Sequence, residues 1–155
     1  MSRRQPRLFV RDGDRIVEAP EADQEVAARY PKWKPKGRAH DGIRLTIMTA
    51  ALQYELGEAV RVVHVLEATE PGVPLHIMGP KEVRDEYVDD ELRTPPVPPG
   101  FDPLLPSSYD GRVLDGPGID VNWELTIYRF DEPGEHTIVW HPGEFRSNTL
   151  RVDIT

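Results

Sequence analysis

Hydrophobic and polar side chains alternate with a period of two over much of the chain from Ile43 onward. Ile43, Leu45 and Ile47 are separated by Arg44 and Thr46, and the later run VRVVHVLE is dense in β-branched residues. The closing runs HTIVW and NTLRVDI have the same character. Alternation of this kind is typical of strands with one buried face. The pattern therefore predicts β-strands, and no helix, in this part of the chain.

Two further segments give specific strand predictions. The run VNWELTIYRF predicts one strand, with Tyr128 on its polar face and four apolar residues on the other, namely Val121, Trp123, Leu125 and Ile127. The segment HVLEATEPGVPLHIMG indicates two strands that fold back on each other around the turn Glu70-Pro71-Gly72.

The first forty residues have a different pattern. An Asp12-Gly13 turn signal between two short apolar runs predicts a hairpin, and Pro20 followed by acidic residues predicts a short helix that ends before Pro31. Residues 30–38, YPKWKPKGR, have the composition of a solvated basic linker. We expect residues 1–40 to form an N-terminal extension and residues 41–155 to form the main domain.

Several short strands separated by Pro/Gly-rich turns predict an all-β, antiparallel sandwich. The motifs YELGE, YRFDEPGEHTIVW and SNTLRVDI, taken in that order, resemble bacterial immunoglobulin-like β-sandwich domains, in the style of the bacterial intracellular proteinase inhibitors. The resemblance runs from residue 41 to the end and implies an immunoglobulin-like fold. It also adds weight to an inhibitor-like or immunity-like role. His136 stands where such domains often have Tyr.

Composition narrows the class of protein further. A chain of 155 residues with 38% hydrophobic residues suits one globular domain, and the absence of cysteine excludes disulfides, thiolate metal sites and cysteine nucleophiles. The N-terminal apolar run LFV is too short for a signal peptide, and no run approaches a membrane span. We expect a soluble, cytoplasmic protein that does not contact a membrane.

Charge is distributed unevenly along the chain. Residues 1–40 carry a net charge of +4 and residues 41–155 a net charge of −12, which gives −8 for the whole chain. A strongly acidic main domain repels phosphate backbones. Nucleic acid is therefore not an expected partner.

Histidines are the first candidates for a metal site. His136 and His141 are five residues apart and point to opposite faces of a continuous strand, so we expect a corner role for His136 and a turn role for His141. Folding about Pro71-Gly72 would bring His64 opposite His76, with Met78 on the same face as His76. Two imidazoles and a thioether favour copper, although a strand histidine is more often a hydrogen-bonded sheet residue. No cofactor is predicted.

Catalytic motifs are missing from the sequence. There is no Gly-x-Ser-x-Gly, no His-Glu-x-x-His, no phosphate-binding Gly-rich loop with Lys and no dinucleotide fingerprint. The acidic run KEVRDEYVDDE lacks calcium-loop spacing and has the composition of a solvated strand end. The cluster within it consists of Asp85, Glu86, Asp89, Asp90 and Glu91. We therefore do not expect an enzyme.

The strongest functional signal is the Pro-rich segment 91–118, which holds seven prolines and four glycines. It is longer than an ordinary connection, and loops of this length are usually functional or disordered. Its apolar residues suit either a cover over the sandwich or a partner-binding surface stiffened by proline. We expect Phe101, Leu105 and Tyr109 to contact a partner and Leu104 to face inward.

The sequence therefore predicts a non-catalytic protein-binding module that uses the Pro-rich loop. The alternative is a sandwich that binds a metal, or a sugar stacked on a Trp side chain, for which the candidates are Trp33, Trp123 and Trp140. Oligomers could form through open sheet edges, for instance through the closing strand RSNTLRVDI.

Overall fold

The computed structural model describes residues 7–105 and 109–155. The strands in chain order are β1 (Phe9–Asp12), β2 (Arg15–Glu18), β3 (Ile43–Met48), β4 (Gln53–Tyr54), β5 (Val60–Ala68), β6 (Pro74–His76), β7 (Glu86–Val88), β8 (Glu91–Leu92), β9 (Val113–Asp115), β10 (Gly118–Asp120), β11 (Thr126–Tyr128), β12 (Gly134–Trp140) and β13 (Leu150–Ile154). Helix α1 (Glu21–Ala28) and a short 3₁₀ helix (Tyr30–Lys32) lie between β2 and β3. The fold is all-β and sandwich-like, as the alternation predicts.

The first main sheet is built around the long strand β5. Strand β3 pairs antiparallel with one edge of β5, and β10 and β11 pair antiparallel with the two ends of its other edge. The second main sheet has the order β4-β13-β12-β7-β8, and only the contact of β4 with β13 is parallel. Strands β1 and β2 form the predicted hairpin, and β6 pairs with β9.

Strand β5 is buried on both faces, which explains its dense β-branched sequence. Val60, Val62 and Leu66 belong to the core between the two main sheets. Val63 and Val65 face the other way and pack against the N-terminal extension. Because successive side chains alternate across a strand, a strand covered on both sides has to be apolar at nearly every position.

The N-terminal extension forms a second, smaller core on the outer face of the first sheet. Leu8 and Val26 are buried there against β5. Two polar contacts fix the position of the extension: Asp23 of α1 forms a bidentate ion pair with Arg61, and Tyr30 donates a hydrogen bond to Glu67. The expectation of a solvated linker at residues 30–38 is therefore wrong at its first residue, since Tyr30 is buried.

Residues Ser147 and Asn148 join the two sheets just before β13. The side chain of Asn148 accepts a hydrogen bond from Ile47 N–H at 2.8 Å and donates one to Ile47 C=O at 3.1 Å. Ser147 bonds the backbone of Trp140: its hydroxyl oxygen accepts the Trp140 N–H, and its own N–H donates to Trp140 C=O. On the edge of β3 that faces away from β5, the backbone of Ile47 is therefore hydrogen-bonded by the side-chain amide of Asn148.

Two strand predictions differ from the structure. Strand β6 pairs with β9 and not with β5, because β5 is already paired along both edges. Residues 121–128 do not form one strand: Trp123 N–H bonds back to Val121 C=O, and only Thr126–Tyr128 continue as β11. The break reverses the faces beyond it, so Tyr128 is buried and Ile127 is exposed.

Strand β13 does not lie at an open edge over its whole length. Strand β4 pairs with its C-terminal end, and the backbone bonds continue to Leu52 and Leu56. The terminal strands of this sheet are therefore β4 and β8, each two residues long. Very short edge strands offer little surface for pairing with another chain.

Among the described helices, none has both the length and the apolar character needed to cross a bilayer.

Candidate functional site

The Pro-rich loop joins β8 to β9 and spans residues 93–112. The candidate contact residues of the loop differ in how far they are exposed to solvent. Phe101 is 52% exposed, Leu105 is half-buried, and Leu104 is 9% exposed and belongs to the core between the sheets. The inward position expected for Leu104 is therefore confirmed. Residues 106–108 lie outside the described residues.

Two aspartates hold the loop on either side of Phe101. Asp85 accepts a hydrogen bond from Val97 N–H through its side chain and donates its own N–H to Pro95 C=O. The Asp102 carboxylate accepts the N–H groups of Leu104 and Leu105, at 2.8 and 3.0 Å. Bonds of this type fix the backbone locally, as in an Asx turn. Phe101 is therefore an exposed aromatic side chain on an anchored backbone.

Tyr109 holds the far end of the loop. Its hydroxyl donates to Arg112 C=O at 2.5 Å and accepts the N–H of Met78 at 3.0 Å. Its ring packs edge-on against His76, with ring centroids 5.2 Å apart. Because both the hydroxyl and the ring contact the protein itself, Tyr109 fixes the loop to the segment that follows β6.

A cavity of about 140 Å³ lies beneath residues 102–105 of the loop. Its buried wall includes Leu66, Leu104 and Trp123, and its outer part includes the half-buried residues His76 and Phe145. The cavity lies where the Pro-rich loop, strand β6 and strands β3, β5 and β10 of the first main sheet meet. Its lining is mostly apolar, with one ion pair in the wall.

That ion pair joins Lys81 to Asp120, and both side chains are buried. The Nζ–Oδ2 distance is 2.8 Å. Lys81 Nζ also donates to Met78 C=O and Asn122 C=O, and it lies 4.9 Å from the centre of the Trp123 ring. All three N–H groups of the ammonium therefore have acceptors.

Burial dominates the titration of both groups. It lowers the pKa of Lys81 and raises the pKa of Asp120, although attraction between the two opposes each shift. Burial disfavours the charged form of either group, and the close oppositely charged partner favours it. Loss of either partner would leave an uncompensated buried charge.

A second buried polar network crosses the sandwich. Oε2 of Glu86, on β7, is in hydrogen-bond contact with Nε2 of His64, on β5, at 2.5 Å. Oε1 of Glu86 accepts hydrogen bonds from the hydroxyls of Thr126 and Tyr128. The His64 ring packs edge-on against Trp140. Both His64 and Glu86 are inaccessible to solvent, so this network holds the sheets together and offers no surface to a substrate.

The contacts of Glu86 with His64, Thr126 and Tyr128 decide its ionisation. Burial raises its pKa, but attraction to His64 and the bonds from His64, Thr126 and Tyr128 outweigh burial and lower the pKa overall. The same contact acts in the opposite direction on Tyr128, whose pKa is raised by burial and by the neighbouring carboxylate. Glu86 is therefore an ionised acceptor and Tyr128 a neutral donor.

Glu86 was not expected in a buried site, because the acidic run around it has a solvated composition. The remaining acids of the run lie at the surface or hold turns. Asp89 accepts Thr137 N–H and contacts His136 Nδ1 at 2.6 Å. The second ring nitrogen of His136 bonds to Glu132 C=O, which confirms the corner role expected for this histidine.

The structure does not bring the proposed copper ligands together in the way the sequence suggested. His64 is bonded to Glu86 inside the sandwich, whereas His76 lies on β6 in the small sheet with β9. The β5–β6 pairing that the set required is absent. Met78 is half-exposed beyond the end of β6.

A different group of potential ligands lies at the surface. His40 Nε2 is 3.4 Å from Asp41 Oδ2 and 3.3 Å from Glu144 Oε2. This is the one cluster of three such side chains found within residues 7–105 and 109–155. All three are exposed, so a cation there would stay largely hydrated.

The tryptophans suit packing better than sugar binding. Trp123 and Trp140 are buried with ring centroids 4.9 Å apart, and Trp33 is partly buried between the two cores. The rings of Trp123 and Trp140 therefore offer no open face of the kind that a sugar stacks on.

Comparison with protein-family models, with curated proteins and with solved structures finds no match to this chain.

Proposed function

We propose that this protein is a non-catalytic protein-binding module, of an inhibitor-like or immunity-like kind, and that it contacts its partner through the Pro-rich loop. The observation that carries the proposal is the position of Phe101. This ring is 52% exposed on a backbone anchored on both sides by Asp85 and Asp102. An aromatic anchor that needs little ordering on binding is typical of an interaction hot spot.

Leu105 is proposed as the second anchor. It is half-buried and lies beside Phe101 in a groove of about 270 Å³. Arg84 and Glu82 also line this groove. These two charged side chains are paired with each other at 3.2 Å. The groove is therefore lined by apolar side chains together with a charged pair, and binding surfaces commonly combine the two.

Tyr109 is assigned a positioning role in this proposal. Its hydroxyl bonds Met78 N–H and Arg112 C=O, so its replacement by Phe would loosen the loop without removing an apolar contact. A residue of this kind affects affinity through the ordering of the loop.

Charge suggests the chemistry of the partner. Residues 41–155 carry a net charge of −12, so a basic surface around an apolar pocket would be attracted to the loop. We propose a cytoplasmic protein with such a surface as the partner.

Site-specific cross-linking tests the proposal. A photoreactive phenylalanine analogue is placed at Phe101 and, as a control, at Ile127, which is 49% exposed on β11. We expect a discrete cross-linked protein at position 101 only. No position-specific cross-link would contradict binding through the loop.

The captured partner is then purified and its affinity measured. Simultaneous replacement of Phe101 and Leu105 by Ala should weaken binding at least about tenfold, since truncation of a hot-spot residue commonly costs 2 kcal/mol or more. Ile127→Ala serves as the matched control and should leave affinity unchanged. These variants are preferable to deletion of the loop, because deletion would also remove Leu104 from the core.

A further inference from the structure

We propose that His40, Asp41 and Glu144 form a binding site for one zinc ion. The three side chains come from two surface turns, one before β3 and one between β12 and β13. The inference does not rest on the proposed function, because no ligand belongs to the Pro-rich loop and zinc binding is measured on the protein alone. The arguments are the spacing of the donor atoms, the turns that hold them and the chemistry of the set.

The spacing of the donor atoms fits one common centre. His40 Nε2 is 3.3 Å from Glu144 Oε2 and 3.4 Å from Asp41 Oδ2. Each of the three side chains offers a ligand atom within 4.8 Å of the other two. Ligands bound at about 2.0–2.1 Å to a tetrahedral zinc ion are roughly 3.3–3.4 Å apart. Both distances from Nε2 therefore have the value that zinc requires.

Hydrogen bonding accounts less well for these two contacts. The other histidine–carboxylate contacts among the described residues, His64–Glu86 and His136–Asp89, measure 2.5 and 2.6 Å. Charge-assisted N–H···O bonds are usually about 2.7–2.9 Å long. One Nε2–H of His40 cannot be aimed at two carboxylates at once, so both contacts stay long. A metal ion in place of that proton would bind all three side chains.

The first turn fixes His40 and Asp41. His40 and Ile43 exchange both backbone hydrogen bonds, at 2.8 and 2.9 Å, around Asp41 and Gly42. The φ angles of these two central residues are 50° and 77°, and a type I′ turn requires positive φ at both. Two of the ligands are therefore consecutive residues on a tight, hydrogen-bonded backbone.

The second turn holds Glu144. It is closed by a hydrogen bond from Phe145 N–H to Pro142 C=O at 3.1 Å. The Phe145 ring also packs edge-on against the His40 ring, with ring centroids 5.3 Å apart, so it helps to orient the imidazole. His40 and Glu144 are 104 positions apart in sequence. The ligand set is therefore assembled only in the folded chain, and binding needs little rearrangement there.

The ligand chemistry favours zinc over the common alkaline-earth ions. Zinc binds imidazole nitrogen and carboxylate oxygen, and a set of three protein ligands leaves a fourth position for water. Ca²⁺ and Mg²⁺ prefer oxygen ligands alone. The two carboxylates balance the double charge of the ion. Arg38 and Arg146 line the adjacent depression and oppose the binding of a cation, so we expect reversible binding.

Isothermal titration calorimetry of the full-length protein with zinc chloride, in the presence of excess Mg²⁺, tests the inference. We expect one saturable site per chain. Asp41→Asn and Glu144→Gln keep the shape of the side chain and remove a charged ligand. Each should weaken zinc binding at least about tenfold, since loss of even an outer-shell partner commonly costs 10- to 100-fold in metal affinity.

His141→Gln is the matched control. His141 is a half-buried histidine of the same connection between β12 and β13, and it does not belong to the cluster. Its replacement should leave zinc affinity unchanged.

Histidine ring resonances locate the ion in the wild-type protein. Zinc should shift the ring signals of His40 and leave those of His136 in place. Both ring nitrogens of His136 are already bonded, one to Asp89 and the other to Glu132 C=O. This readout does not require any variant to fold.

Three results would each overturn the inference. The first is no saturable binding at one ion per chain. The second is unchanged zinc affinity in either Asp41→Asn or Glu144→Gln. The third is a shift of other histidine signals without a shift of His40, which would show an adventitious ion only. None of these results bears on cross-linking at Phe101, so the two proposals fail separately.

Discussion

His64 on β5 and Glu86 on β7 connect the two main sheets through a contact of 2.5 Å between Nε2 and Oε2. Neither side chain is accessible to solvent. The carboxylate also accepts the hydroxyls of Thr126 and Tyr128, so its burial is compensated by three donors. This contact is the main polar link across the sandwich, and it gives the first two predictions.

Replacement of Glu86 by Gln is expected to lower the free energy of unfolding by about 1–3 kcal/mol or more, because it removes a buried carboxylate that accepts the hydroxyls of Thr126 and Tyr128 and contacts His64. Glu91→Gln is the matched control, because Glu91 is an exposed acid of the same run. Urea denaturation followed by circular dichroism measures both. A loss below about 1 kcal/mol for Glu86→Gln would show that the pair contributes little.

The stability of the wild-type protein should fall on acidification in a way that depends on Glu86. Its pKa is lowered in the folded state, so the ionised form stabilises the fold. That contribution is complete above the ordinary glutamate pKa and is lost as the pH falls through the lowered value. Unfolding midpoints measured between pH 7 and pH 3 should therefore show a smaller decrease for Glu86→Gln than for the wild-type protein.

The pair Lys81–Asp120 should show strong coupling between its members. Lys81→Met and Asp120→Leu are each expected to destabilise the fold by about 3–5 kcal/mol, because each leaves a buried charge without its partner. The double variant should cost at least about 2 kcal/mol less than the sum of the two. Additive effects in this double-mutant cycle would contradict direct coupling.

Asn148→Ala should separate the β3 edge from the turn before β13. It removes the partners of the Ile47 N–H and C=O groups, and each buried group left unpaired costs about 1–3 kcal/mol. Asn148→Asp keeps the acceptor and loses the donor, so it should be less stable than the wild-type protein because a carboxylate then faces the Ile47 carbonyl. Amide hydrogen exchange at Ile47 measures the local effect.

Leu104 and Phe101 should behave oppositely in a stability assay although both are large apolar residues of one loop. Leu104→Ala creates a cavity in the core and should cost about 2–3 kcal/mol. Phe101→Ala should change stability by less than about 0.5 kcal/mol, because the ring is half-exposed. Thermal unfolding distinguishes the two; a large loss for Phe101→Ala would mean that this ring supports the fold and is not available to a partner.

Local signals identified the elements that local interactions determine. The Asp12-Gly13 turn, the helix after Pro20 and the alternating strands β3, β5, β12 and β13 are present where the sequence predicts them. Two signals for the sites could also have been used. Glu86 stands two residues before the buried Val88, on the same strand face, and Asp120 lies between two apolar residues, Ile119 and Val121.

The wrong predictions concern partners distant in sequence. The turn at Pro71-Gly72 suggested that β6 pairs with β5, but the edges of β5 are taken by strands β3, β10 and β11. The break after Trp123 moved Tyr128 from the polar face to the core, where Glu86 provides an acceptor for its hydroxyl. Competition between strands for one edge is not encoded in any single segment.

The sequence by itself determined an all-β fold, an acidic main domain, a hairpin and helix at the start and an unusual Pro-rich loop. Period, turn residues and composition act over a few neighbouring positions, so one chain is enough to detect them. Only the tertiary structure decided that Glu86 meets His64 inside the sandwich, and that Lys81 meets Asp120 across 39 positions of sequence. The physical reason is that buried charges and cavities arise where distant segments converge, and such convergence depends on packing of the whole chain.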